Sequence, residues 1–155
     1  MKNIKLIFYD FDGVMTDNRV LVREDGKEAV FVNRSDGLAV QKIKQMGIRQ
    51  VIVSTEKNSV VGIRAQKLGL SVIQAIDDKR AVVEKYLADN KIDPKETIFV
   101  GNDINDKEAM LLVGWPIAPA NAHPDIKKIA RRTLNARGGY GAVREMLDVL
   151  QEERS

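Results

Sequence analysis

Short β-rich apolar runs alternate with helical stripes along this chain, and no other feature of the sequence limits its fold so much. Residues 5–9, 48–54, 71–73, 97–100 and 116–118 read as strands. The runs are short and evenly apolar, as expected of strands buried on both faces. Between them, Leu38, Ile43 and Met46 mark a helix ended by Gly47, and Val60, Ile63, Ala65 and Leu68 mark another ended by Gly69. Residues 81–87 and 108–113 continue the pattern. Pro124-Asp125 opens a short helix before Arg131, and the last helix runs from about Ala142 to Glu152. Such alternation predicts βαβ units, and so an α/β fold with a Rossmann-like parallel sheet flanked by helices. The 155 residues suffice for one domain with a real core, expected to span 1–155.

One stretch departs from the alternation. Residues 19–23 and 28–32 flank Glu24-Asp25-Gly26-Lys27, and Asp-Gly between two β-rich runs signals a hairpin. It follows the first acidic motif, where it can act as a flap. No segment is long enough for a separate cap domain.

Composition narrows the chemistry. The chain has no cysteine and one histidine, which excludes thiolate and histidine-rich metal sites. Any metal must be held by oxygen, which favours magnesium over zinc. The net charge of +3 is mild, the basic residues are scattered and aromatics are few. That argues against nucleic acid and fits an anionic small molecule. The first apolar run is too short for a signal sequence and carries Lys5, and no run reaches membrane-spanning length. The expectation is a cytoplasmic protein with no membrane partner.

Parallel sheets bind ligands at the carboxyl ends of their strands. Asp10, Ser54 and Gly101-Asn102-Asp103 all stand at such ends. Asp10-Phe11-Asp12-Gly13-Val14-Met15-Thr16-Asp17 puts two carboxylates two residues apart on a loop leaving a strand. Alone they would repel and one would take up a proton, whereas a divalent cation lets both stay ionised. Gly13 permits the sharp turn behind them. A nucleophilic aspartate can attack phosphorus, and a second one two residues on can protonate the leaving oxygen and later activate water.

These residues resemble the first motif of the haloacid dehalogenase-like phosphatases, and later segments resemble the remaining motifs in the family's order. The resemblance implies that Asp10 is the nucleophile and Asp12 the general acid and base. It implies that Ser54 holds the phosphoryl group, and that Lys79 screens charge between phosphate and nucleophile. Gly101-Asn102-Asp103-Ile104-Asn105-Asp106 is similar to the acidic fourth motif, which implies a magnesium site built from Asp10, Asp12, Asn102, Asp103 and Asp106. The family usually carries Asp at the Asn102 position. An amide there removes one negative charge and weakens the ion's hold, so a weakly active or inactive module beside a sugar-activating enzyme is the alternative reading.

Among these phosphatases, the small size is similar to the capless enzymes acting on 3-deoxy-manno-octulosonate 8-phosphate and on nine-carbon 2-keto-3-deoxy acid 9-phosphates. That likeness implies a phosphorylated sugar acid as substrate and a homotetramer whose neighbours close each site. Residues 138–145, Gly-Gly-Tyr-Gly-Ala-Val-Arg-Glu, look like the carboxy-terminal signature of those enzymes. Thr55-Glu56-Lys57 after Ser54, with Arg64 and Lys67 beyond, resembles the nine-carbon enzymes. Arg64 or Lys67 is expected to meet a substrate carboxylate, Glu56 its hydroxyls or an amine, and Asp36 to touch substrate or shape the site. Replacing the nucleophile, Asp10→Asn, is expected to abolish phosphate release while leaving the far-ultraviolet circular dichroism spectrum unchanged. Full turnover in that variant would refute the assignment.

Overall fold

The computed structural model describes residue 1 and residues 3–153. Six strands form one parallel sheet, in the order β5-β4-β1-β6-β7-β8. They are β1 (Leu6–Tyr9), β4 (Arg49–Val53), β5 (Ser71–Ile73), β6 (Thr97–Val100), β7 (Trp115–Ala118) and β8 (Arg132–Thr133). A second, two-stranded sheet pairs β2 (Leu21–Val22) with β3 (Glu28–Ala29) as an antiparallel hairpin. The helices are α1 (Asp36–Gln45), α2 (Val60–Leu68), α3 (Lys79–Asn90), α4 (Lys107–Leu112), α5 (Pro124–Ile129) and α6 (Ala142–Glu152).

Strand β1 is the axis of the sheet, and all four of its side chains are fully buried. Successive side chains point to opposite faces, so one strand feeds two cores. Ile7 and Tyr9 pack with Val40 and Ile43 of α1 and Val143, Met146 and Leu150 of α6. Leu6 and Phe8 pack with Phe99 of β6, Val83 and Leu87 of α3, and Met110 of α4. Burying each such side chain contributes about 2 kcal/mol. Helix α6 earns its place by spacing: Val143, Met146, Leu147 and Leu150 repeat along one face, and all are buried. The Tyr9 hydroxyl crosses the core to donate to Gln50 Oε1 at 3.1 Å, and Gln50 Nε2 donates to the Val40 carbonyl at 2.9 Å.

The expected architecture is present, with three differences of detail. Strand β8 is an edge strand of two residues, Arg132 and Thr133, whose polar side chains carry no strand pattern. Helix α3 extends beyond the expected core on both sides. The Asp78 side chain caps it by accepting from the Ala81 amide, and Lys91 ends it in a left-handed conformation. The hairpin ladder is shorter than the two β-rich runs, though Thr16 and Val32 form an antiparallel bridge at its base.

Chain order reverses beside β1, with β4 and β5 on one side and β6, β7 and β8 on the other. A crevice opens at such a reversal, at the carboxyl ends of the strands. Among the described residues no helix is long and apolar enough to cross a membrane.

Candidate active site

Asp10 follows the last residue of β1, and its amide donates to the Val100 carbonyl at 2.9 Å. Lys79, the first residue of α3, places its ammonium between two carboxylates, 2.6 Å from Asp10 Oδ1 and 2.6 Å from Asp106 Oδ1. All three side chains are buried. The other oxygen of Asp106 accepts from the amides of Asn102 at 2.8 Å and Asp103 at 3.2 Å. Thus Asp106 is spent on Lys79 and on the turn that follows β6. It holds that loop in shape rather than facing the cavity. Gly101 makes the approach possible, because a Cβ there would come within 2.7 Å of the Asp106 Cβ.

The two acidic loops touch across the sheet. Gly13 has φ +83°, and a Cβ on it would overlap the Asn102 amide. The Asn102 side chain admits two orientations. With nitrogen inward it donates to the Asp12 carbonyl and to Asp10 Oδ2, both at 2.9 Å. With oxygen inward, three oxygens meet, which is favourable only around a cation. Among the described residues no three His, Cys, Asp or Glu side chains converge as a metal site. The converging donors are instead one carboxylate, one backbone carbonyl and one amide, a hard-oxygen set that fits a magnesium ion.

Ser54 follows β4, is buried, and accepts from the Glu56 amide at 3.1 Å through Oγ. Asp10, Asp12, Ser54, Asn102 and Asp103 line a cavity of about 100 Å³, with Asn18, Thr55 and Asn105. Asp12 and Asn18 also line a second cavity of about 260 Å³ beneath the hairpin, walled by Glu28 on the flap and by Glu56 and Asn58 on the body. Asn58 Nδ2 donates to Glu28 Oε2 at 2.9 Å, tying flap to body. A larger cavity of about 340 Å³ lies at the opposite rim of the sheet, beside Gly47, Arg49 and Ser71. It touches none of these groups.

Comparison with known proteins decides the family. A profile described as haloacid dehalogenase-like hydrolase matches residues 39–146. The 3-deoxy-D-manno-octulosonate 8-phosphate phosphatase KdsC of Yersinia pestis is 31% identical over 149 residues, covering 96% of this chain and 80% of the relative. The chain belongs to the haloacid dehalogenase-like hydrolases. A solved hydrolase of this family from Streptomyces avermitilis superimposes with a TM-score of 0.91 at 41% identity, covering 94% of this chain and 83% of that one. The 3-deoxy-D-manno-octulosonate 8-phosphate phosphatase of Moraxella catarrhalis, solved with magnesium, phosphate and KDO, does so with a TM-score of 0.93 at 29% identity, covering 97% and 87%.

The electrostatics of this haloacid dehalogenase-like hydrolase follow from burial. Desolvation pushes the Asp10 carboxyl well above its ordinary range and Asp106 adds to the push, while Lys79 and the Phe11 amide pull it back. Burial works against the Lys79 ammonium, but the two carboxylates outweigh it and the amine is held protonated above its ordinary range. Asp12 is raised by burial first and by Glu56 next, with the Thr16 hydroxyl opposing. A raised carboxyl that faces both cavities is suited to carry a proton.

The structure brings Asp10, Asp12, Ser54, Lys79, Asn102 and Asp103 to one rim, with Glu56 beside them. Four expected site residues line neither cavity. Asp106 turns both oxygens away from the cavity, as described. Asp36, the first residue of α1, is buried and lines neither cavity. Arg64 is turned inward, with Nη2 donating to the Asn33 carbonyl at 2.8 Å and attracting the Asp36 carboxylate. Lys67 is exposed on α2 and lines neither cavity.

Several participants went unrecognised in the sequence. Thr16 Oγ1 accepts from the amides of Gly13 at 3.2 Å and Asn18 at 3.1 Å, shaping the first loop. Its place inside the acidic motif was the available signal. Glu28 and Asn58 come together only through the fold, and Asn105 lines the smaller cavity.

Burial pushes Asp36 up to about 7 from an ordinary 3.8, with Arg64 and the Arg144 amide opposing. Between those values the folded chain binds this proton more tightly than the unfolded chain. Stability is therefore greatest below the lower value and falls as pH rises towards the upper one. The urea midpoint of the wild type, measured against that of Asp36→Asn, should fall between about pH 4 and about pH 7. A constant difference would mean that Asp36 stays ionised throughout.

Proposed function

We propose that this chain is a cytoplasmic, magnesium-dependent phosphoric monoester hydrolase acting on the phosphate of a 2-keto-3-deoxy sugar acid. A nine-carbon nonulosonate 9-phosphate is the favoured substrate. The observation that carries this reading is the meeting of Asp10, Ser54 and Asn102 around a cavity that shares Asp12 with the chamber under the flap, with the Lys79 ammonium 2.6 Å from Asp10 behind it. The smaller cavity suits a phosphoryl group. The larger suits a leaving group rich in hydroxyls, because Glu28 and Glu56 wall it with hydrogen-bond acceptors.

Asp10, the Asp12 carbonyl and Asn102 would hold magnesium, with Asp103 at the rim of the cavity. When bound, the ion supplies positive charge that offsets the phosphoryl oxygens. Asp10 attacks phosphorus, the bond from phosphorus to the sugar oxygen breaks, and Asp12 gives its proton to that oxygen. Lys79 and Ser54 orient and neutralise the phosphoryl group. Asp12 then takes a proton from water, which attacks phosphorus and frees Asp10 and inorganic phosphate.

An eight-carbon octulosonate 8-phosphate is the second reading, favoured by the names of the relatives in Yersinia pestis and Moraxella catarrhalis. The resemblance of Thr55-Glu56-Lys57 to the nine-carbon enzymes supports the first, and Glu56 stands in the wall of the larger cavity. The assembly is a homotetramer, a reading supported by the hairpin, which leaves Val20, Leu21, Val22 and Phe31 half or more exposed. An isolated hairpin with an uncovered apolar surface is marginal in water and gains from a partner.

Phosphate release from a panel of phosphorylated eight- and nine-carbon keto acids tests this function. Magnesium-dependent turnover with the highest kcat/KM on a nine-carbon acid is expected, with chelation abolishing it. Absence of turnover on every ester, generic ones included, would leave a phosphatase-like module of a sugar-activation pathway. Asn102→Asp restores a carboxylate to the ion's shell and should lower half-saturating magnesium several-fold. An unchanged titration would remove Asn102 from the ligand set.

A further inference from the structure

The segment before α6 runs behind the catalytic loop, and its backbone is in direct contact with that loop. A Cβ on Gly138 would overlap the Gly13 carbonyl, and one on Gly139 would fall on the amide of Asp17. Gly139 has φ +75°, and its amide donates to the Val14 carbonyl at 3.0 Å. Its carbonyl accepts from Asn33 Nδ2 at 3.4 Å, at the foot of the flap. These two glycines therefore back the loop that carries Asp10, Asp12 and Thr16.

What holds the glycines is itself defined. Glu145 of α6 accepts from Asn135 N at 2.9 Å and Ala136 N at 2.6 Å, fixing the upstream end. The Gly138 amide donates to Asn121 Oδ1 at 2.9 Å. Asn121 lies on the loop after β7, and two residues on, the His123 amide donates to the Asn102 carbonyl at 2.8 Å. One short chain of contacts thus joins the two loops that meet at Asn102 and Gly13, outside the cavity. Asn121 is exposed and lines neither site cavity, so its side chain is placed to act on the backbone rather than on substrate.

We propose that Asn121 is a positioning residue for the reaction. Through Gly138 and Gly139, and beside the backbone bond from the Ala120 amide to the Ala136 carbonyl at 2.9 Å, it helps to set the separation between the Asp10–Thr16 loop and the Asn102 loop, and so the convergence of the three oxygens that would hold magnesium. The proposal rests on the phosphatase reading for its catalytic consequence and on the geometry alone for its structural one. Displacing reacting groups by about 1 Å can cost about 100-fold in rate. A lost hydrogen bond at an exposed site has only a small effect on global stability.

The test compares wild type, Asn121→Ala and Asn121→Asp in the full chain. Asn121→Asp keeps an oxygen to accept the Gly138 amide, and Asn121→Ala does not. The measurements are magnesium affinity by calorimetry without substrate, amide hydrogen exchange across residues 10–18, kcat and KM with a generic phosphate ester, and the melting temperature. Asn121→Ala is expected to weaken magnesium several-fold, speed exchange in the loop and lower kcat about tenfold with little change in KM. Its melting temperature should stay within about 2–4 °C of wild type. Asn121→Asp should restore exchange and most of the magnesium affinity. The proposal is overturned if loop exchange is unchanged in Asn121→Ala, or if Asn121→Asp is no better than Asn121→Ala. The exchange readout needs neither metal nor turnover. A chain that hydrolyses nothing would therefore refute the phosphatase reading while still deciding whether Asn121 holds the loop.

Discussion

A lysine ammonium buried between two carboxylates organises this molecule. Lys79 reaches Asp10 at the end of β1 and Asp106 in the turn after β6, each at 2.6 Å. Removing one partner from a buried pair of this kind typically costs ~3–5 kcal/mol, because an uncompensated charge is left behind. The trio therefore couples three separate segments: the central strand, the start of α3 and the loop after β6. With both carboxylates ionised it carries one more negative charge than positive, and a bound cation beside Asp10 would balance that excess. The same contacts that hold the loops together thus create the electrostatic demand that the chemistry uses.

Close backbone approach is the second constraint. Gly13 lies against Asn102, Gly101 against Asp106, and Gly138 against the Gly13 carbonyl, each at a separation that a side chain would prohibit. Three loops from distant parts of the chain are thereby stacked in order: the segment before α6, the Asp10–Thr16 loop and the Asn102 loop. A small polar cavity results, with hydrogen-bonded walls and little apolar surface. The chamber beneath the hairpin is different. Its roof is a two-stranded flap that leaves Leu21, Val22 and Phe31 exposed while Val20 and Val30 line the chamber, and its charged walls, Arg19, Glu28 and Glu56, come from both flap and body. In the proposed function, phosphoryl chemistry falls to the small cavity and leaving-group selection to the chamber under the flap, a division that lets loops vary while the scaffold stays fixed.

Burial also separates the roles of like residues. Asp10, Asp36 and Asp106 are all buried aspartates. Asp10 shares an ammonium and faces the cavity. Asp106 shares the same ammonium but gives its second oxygen to the loop amides. Asp36 has Arg64 for company but lies away from the chemistry. Composition and spacing treat these residues alike, and only their neighbours distinguish them.

Much of the architecture was legible in the chain itself. The alternation of apolar runs with helical stripes determined a parallel α/β sheet, because strands covered on both faces and their crossover helices leave distinct periodicities. The acidic pair after the first strand, Ser54, Lys79 and the Gly-Asn-Asp loop were legible as strand-end or helix-start polar residues in a family's order. Strand β8 was not, since an edge strand needs no apolar pattern. Nor were the true positions of Asp36, Arg64 and Asp106, because a charged side chain looks the same in sequence whether it faces solvent, substrate or a buried partner. Tertiary structure decided those positions, and it decided that Gly138 would lie behind Gly13. Contacts between segments 125 residues apart arise from the packing of α6 against α1, and no local pattern records them.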